Sequence, residues 1–149
     1  AVMAWVTENL MGRLQVAVQA RSGDTTAIHP LAALQDVFIA HVDFVIAHPG
    51  VPRLVFQELQ HAQESALKAA VQTLMQQYRA LVMGLLHQAQ AQGLLHSHTD
   101  VPSAALLFLG SIQGLVMQSL LSGQVQAIAQ QAPGVFAIFI RGITNKETP

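Results

Sequence analysis

The sequence predicts an all-α protein, an antiparallel bundle of five to six helices in a single domain covering residues 1–149. Three observations carry that reading. No stretch sustains the period-two alternation of a half-buried strand. Ala, Leu and Gln dominate where a sheet would need β-branched clusters. Apolar residues instead recur three or four apart over long runs, most regularly between residues 63 and 92.

A chain of 149 residues is about one domain by length, and a domain of that size buries roughly 70% of the surface its unfolded form exposes. Charged residues make up 10% and hydrophobic residues 52%, against about 25% charged in ordinary soluble domains. That is more apolar surface than one small core needs. The 7 Lys and Arg are scattered singly and the net charge is −1, so nothing forms the basic stripe that phosphate neutralisation demands. The absence of cysteine excludes disulfides, thiolate metal sites and a Cys nucleophile, and suits a reducing compartment. The first residues, "AVMAWVTENLMGRLQ", carry no basic region and no long apolar core of a signal peptide. They enter directly in helical pattern, as expected of a chain that starts in mid-protein.

The first helix is expected from Val2 to Ala20, with Val2, Val6, Leu10, Leu14 and Ala17 on one face, stopping in "RSGDTT". "IHP" opens a second at Leu31, with an apolar row of Leu34, Phe38, His41 and Val45 and with Asp36 and Asp43 outside. Pro52 suits the first residue of a short helix reaching about Gln60. From Gln63 to about Gln92, Leu67, Val71, Leu74, Tyr78, Leu81 and Leu85 make the stripe of a long two-faced helix. Gly93 ends it and "HSHTD" turns the chain, after which Asp100 or Ser103 caps the next helix. A last helix follows Pro133, carries Phe136, Phe139, Ile140 and Ile143, and frays in "NKETP".

The uncharged tract from Val101 to Ile140 poses the functional question. Ala104 to Leu121 is long enough to span a bilayer, and Gly110 and Gly114 match the small-xxx-small pattern of packed membrane helices. Against a span stand Ser103, Ser111, Gln113, Gln118, Ser119 and Ser122, the lack of flanking Lys, Arg, Trp or Tyr, and the lack of a second segment to span with it. On a helical wheel Ala105, Leu106, Phe108, Leu109, Ile112, Val116, Met117 and Leu120 cover about half the circumference, while Gly110 and Gly114 form a second, smooth face. One face suffices for a core. Two imply that the other meets a second copy of the chain, because obligate dimer contacts resemble a domain core cut in half.

Catalytic and metal chemistry find little footing. Glu58 and His61 have the E-x-x-H spacing of di-iron bundles, but no second motif or further carboxylate set accompanies them. His96 and His98 stand in a polar turn with Asp100. No G-x-S-x-G elbow or Gly-rich phosphate cradle occurs. No enzyme activity, cofactor or metal is expected. His41 interrupts an apolar row and reads either as a core histidine bonded to a backbone carbonyl or neighbouring side chain, or as an effector contact. Tyr78 has the same ambiguity, since its buried hydroxyl needs a partner. Met75, Val82 and Met117 read as core, with flexible Met also suiting a pocket for varied ligands, and Trp5 as packing on the next helix.

The order of "AHPGVPRLVFQEL", a long helix ending "LLHQAQAQGLL", the acidic turn "HTDVPSAA", then "LLFLGSIQGLVMQSLL" and a closing "FIRGI" resembles the C-terminal ligand-sensing and dimerisation domain of TetR-family transcriptional regulators. The resemblance covers nearly the whole chain. It departs from the family in lacking the N-terminal helix-turn-helix domain, residues 1–20 being expected as the helix that would connect to it. The resemblance implies a cytoplasmic homodimer, the sensor half of a repressor, that reaches DNA only through the absent domain and has no membrane role. It implies a pocket for a small, largely apolar effector near Phe38, His41, Met75, Tyr78, Val82 and Phe108. It also implies that the last two helices pair with their twins in a four-helix interface, with Leu109, Ile112, Val116, Leu120, Phe136, Phe139 and Ile140 at the contact. The competing expectation is a stand-alone scaffolding bundle, which would pack solid where a sensor keeps a cavity of some hundreds of Å³.

Overall fold

The computed structural model describes residues 2–20 and 29–145. Six α-helices make up that part of the chain: α1 (Val2–Ala20), α2 (Pro30–Ala47), α3 (Gly50–Leu59), α4 (Ala66–Ala91), α5 (Val101–Ser122) and α6 (Ala127–Ile143). The "RSGDTT" stop lies outside the described residues, as does all of "NKETP" after Asn145.

Local chemistry sets most helix ends. Pro30 opens α2 behind His29, whose Nδ1 accepts the Ala32 N–H at 3.3 Å. Ser65 caps α4 by accepting the Lys68 N–H at 3.0 Å, so that helix starts three residues later than its apolar pattern suggests. Its C-terminus turns through Gly93 at φ 74°, with the Leu94 N–H reaching back to the Ala89 carbonyl, a closure that the left-handed conformation of glycine permits. Gly123, at φ 76°, ends α5 in the same region. At the start of α5 the Ser103 hydroxyl donates to the Asp100 carboxylate, and neither side chain caps a backbone N–H.

Two starts differ from expectation, each at a proline. Helix α3 begins at Gly50, so Pro52 is its third residue. The first four N–H groups of a helix have no intrahelical partner, and a proline among them forfeits no bond. Helix α6 begins at Ala127 with Pro133 as an interior residue. There proline removes one bond, to the carbonyl of Ala129, an exposed residue whose oxygen water can satisfy. In return the extra turns bury Ile128 and Ala132.

Helix α2 is the hub, packing against α1, α4, α5 and α6, whereas α3 rests mainly on α4. Burial follows: Ala33, Leu34, Val37, Phe38, Val42, Phe44 and Val45 of α2 are all buried, and Pro52 alone is buried in α3. An isolated antiparallel bridge joins Leu95 to Thr144, with the His96 N–H on the Ile143 carbonyl at 2.9 Å and the Asn145 N–H on the Leu94 carbonyl at 3.1 Å. It pins the α4–α5 turn to the end of α6.

Two helices, α2 and α5, are long and apolar enough to cross a membrane by length and composition. The sequence had offered α5 alone. In each, 44% of the apolar window is buried inside the bundle.

Candidate ligand site

A cavity of about 140 Å³ lies between α1, α2, α3, α4 and α5. Its floor is made of side chains closed off from solvent, Val6 and Leu10 of α1, Phe44 of α2, Leu74 of α4 and Ile112 of α5. Its mouth is marked by lining residues that keep some exposure, Phe56 and Leu59 of α3, Met75 of α4 and Gln113 of α5. Among the described residues around it only His41 and Gln113 are polar, and none is charged. The Gln113 amide donates weakly to Met75 Sδ at 3.8 Å.

His41 is the polar feature of the interior. Its Nδ1 stands 2.7 Å from the hydroxyl of Tyr78, whose side chain is wholly buried, and the two rings lie 5.1 Å apart. Part of the imidazole's surface opens on the cavity, yet protein surrounds the ring, and this desolvation lowers its pKa from 6.5 to about 4. The imidazole is therefore neutral at physiological pH. The same burial pushes the Tyr78 phenol well above its ordinary 10.0.

The thin side of the cavity is α3. Its ends are tied, with the Val51 N–H on the His48 carbonyl and the Glu58 carboxylate accepting the Ser65 hydroxyl at 2.6 Å, while Lys68 Nζ donates to the His61 carbonyl. His61 lies beyond the helix end, so Glu58 and His61 do not share a helical face. Among the described residues no three His, Asp or Glu side chains are grouped to hold a metal ion.

The family model described as the tetracyclin repressor-like C-terminal domain matches residues 30–134. The chain belongs to this TetR family. Its members are transcription regulators, not enzymes. The fold agrees with solved structures at low sequence identity. The transcriptional regulator FadR from Bacillus subtilis, in complex with stearoyl-CoA, matches at a TM-score of 0.77 and 15% identity over 95% of this chain and 74% of that one. A TetR transcriptional regulator from Chloroflexus aurantiacus matches at 0.74 and 13% over 95% and 70%. A protein of unknown function from Rhodococcus sp. RHA1 matches at 0.69 and 19% over 93% and 68%. No curated protein matches the chain.

Within this TetR-like domain the six residues expected near a pocket divide. His41 and Met75 line the cavity, and Tyr78 stands behind His41 as its hydrogen-bond partner. Val82 is buried away from it. Phe38 and Phe108 meet edge to face at 5.4 Å and continue into Phe136 and Phe139, so they fill space instead of lining it. The lining residues not anticipated are chiefly those of α3 and the floor. The high apolar content of "GVPRLVFQEL" is the only sequence signal of the α3 residues, while Val6, Leu10, Leu74 and Ile112 of the floor stand on apolar faces that read as core.

The residues expected at a subunit contact turn inward. Leu109, Ile112, Val116, Phe136 and Phe139 are buried within the one chain, and Leu120 and Ile140 are half-buried against its core. Ile112 and Val116 border the cavity itself. Polar side chains are sparse on α5 and fall on both sides, Ser103, Gln113 and Gln118 exposed and Ser119 buried, so they mark its outer side only weakly, and the structure turns the smooth side outward. Leu106, Leu107 and Leu121 are 69%, 56% and 81% exposed on the face that carries Gly110 and Gly114, and Ile138 of α6 is 70% exposed.

Proposed function

We propose that this domain senses a small, largely apolar effector in the cavity beneath α3, dimerises through the outer face of α5 and α6, and relays occupancy through α1 to a DNA-binding domain outside this chain. The carrying observation is the cavity, an apolar space with one neutral polar edge in a domain of a regulator family. A scaffolding bundle has no use for it. At about 140 Å³ the space is close to the ~150 Å³ of an engineered apolar cavity that admits benzene and below the ~300 Å³ where drug-sized sites begin. A larger effector enters by displacing α3, whose side chains are only half-buried. The stearoyl-CoA bound by the Bacillus subtilis relative, a molecule with a long apolar tail, supports an apolar effector class here.

The dimer reading rests on α5 and α6. A Cβ built at Gly110, Gly114 or Gly134 meets nothing within 4 Å, as at the other described glycines, so packing among the described residues does not require glycine there, although each costs a helix about 0.5–1 kcal/mol relative to alanine. Close approach of a second copy to a surface bearing Leu106, Leu107 and Leu121 does explain them. A regulator of this kind works in the cytoplasm, and the effector acts by binding one of two states more tightly.

Native mass spectrometry of the detergent-free protein tests both halves. The expected spectrum shows twice the chain mass, with an additional discrete mass released on denaturation where an effector has co-purified. A monomer with no affinity for any apolar probe contradicts the reading.

A further inference from the structure

The polarity of the cavity narrows the class of molecule it holds, on the proposed reading that it is the sensor site. Tyr78 is wholly buried, and among the described residues its hydroxyl has one hydrogen-bond partner, Nδ1 of His41 at 2.7 Å. A protonated phenol has to place its hydrogen on an acceptor, and Nδ1 is the acceptor within reach. Nδ1 therefore accepts, and the neutral imidazole carries its own proton on Nε2. Nε2 makes no hydrogen bond to any described residue. Yet no buried side-chain nitrogen or oxygen among the described residues lacks a partner. Both statements hold together only if Nε2 retains accessible surface, and the surface next to His41 is the cavity.

The tyrosine thus fixes the tautomer, and the histidine presents one N–H donor to an otherwise apolar space. Gln113 adds a polar group at the mouth, where its amide is turned toward Met75 Sδ. No Lys, Arg, Asp or Glu lines the cavity, so an ionised ligand would leave water with no counter-charge to meet it, a cost that far exceeds the gain of one hydrogen bond.

We propose that the cavity selects an uncharged, largely apolar molecule bearing a single hydrogen-bond acceptor, a carbonyl or ether oxygen, which takes the Nε2–H of His41. His41 is the binding residue, and Tyr78 is a positioning residue that acts through it.

Three probes of nearly equal shape separate the possibilities: acetophenone carries the acceptor, cumene has methyl groups in its place, and benzoate carries a charge. Calorimetric titration of each into the wild-type chain and into the double variant His41→Leu/Tyr78→Phe is the test. The double variant removes both partners at once and leaves no orphaned hydroxyl. Acetophenone is expected to bind at least about tenfold more tightly than benzoate, and to lose about five- to tenfold in the double variant while cumene stays within about twofold. Tyr78→Phe alone serves where the double variant does not fold, and it weakens acetophenone about threefold by freeing the imidazole to swap tautomers. Equal changes for acetophenone and cumene, or benzoate binding as well as acetophenone, overturn the inference and leave the sensor site standing. Failure of all three probes to bind the wild-type chain overturns the sensor reading and the inference with it.

Discussion

Between α2, α5 and α6, Phe38, Phe108, Phe136 and Phe139 close ring on ring, from 5.3 Å for Phe38 and Phe136 to 6.0 Å for Phe136 and Phe139. One or two turns along the same α2 and α5, His41, Phe44, Val45, Ile112 and Val116 stand around a cavity of about 140 Å³. The hub helices are common to both regions, so the difference lies in what closes them. At the aromatic end it is α6, with Phe136 and Phe139 buried; at the other it is α3, ten residues with Pro52 alone buried. A rigid wall permits solid packing and a lightly held one leaves room. On the proposed sensor reading, this contrast combines a stable body with a site that can open.

The largest effect expected from this contrast is on stability. Phe108→Ala should cost about 3–5 kcal/mol, since its neighbours cannot collapse into the space, whereas Phe56→Ala, at the mouth of the cavity and only partly buried, should cost about 1 kcal/mol. Urea unfolding of the two variants measures the difference. Equal losses would mean that α3 is held as firmly as α6.

Acid should act at the cavity end through His41. His41 has a pKa of about 4 in the folded protein against 6.5 unfolded. Above pH 6.5 both states are neutral there and the group contributes no pH dependence. Between 6.5 and about 4 the unfolded chain takes up a proton that the folded chain refuses, so stability falls as pH falls, with a slope of at most about 1.4 kcal/mol per pH unit. Denaturation midpoints across that window should lose this component in His41→Leu/Tyr78→Phe.

Adding volume should have opposite signs at the two ends. Val45→Leu grows into the cavity and is expected to stabilise by about 0.5–1 kcal/mol while weakening cumene binding. Ala105→Val, at a position with no exposed surface beside Phe108 in sequence turn, should destabilise by about 1–3 kcal/mol through overpacking. Thermal denaturation reads both. The smallest effect on stability is expected at the outer face: Leu106→Asp should stay within about 0.5 kcal/mol and yet turn dimers into monomers by sedimentation. Val116→Asp, by contrast, places an unpaired charge inside the protomer and should unfold it.

How far the sequence carried these conclusions varied with the helix. In α4 the regular spacing of Val71, Leu74, Tyr78 and Leu85 marks a single buried stripe, and those four residues are buried. In α5 periodicity could not choose a side, because Leu106 and Leu109 are equally apolar and only packing against α2, α4 and α6 assigns one outward and the other inward. His41 was readable as an inward histidine on an apolar row. Its partner was not, since Tyr78 lies 37 residues away on another helix. Phe38 shares a helix with His41 but lies nearly a turn earlier, enough to put it against α5 and α6 instead of the cavity. Pro133 pointed to a helix start because sequence alone does not show that the carbonyl it orphans faces water.

On the proposed reading the space under α3, and no other part of the bundle, receives the apolar ligand. The most direct measurement is a diffraction experiment on crystals grown with cumene. Density is expected for the ring enclosed by Leu10, Phe44, Leu74 and Ile112, with α3 displaced outward if it moves at all. Density lodged among Phe38, Phe108 and Phe139, or an unchanged empty cavity at saturating cumene, would contradict it.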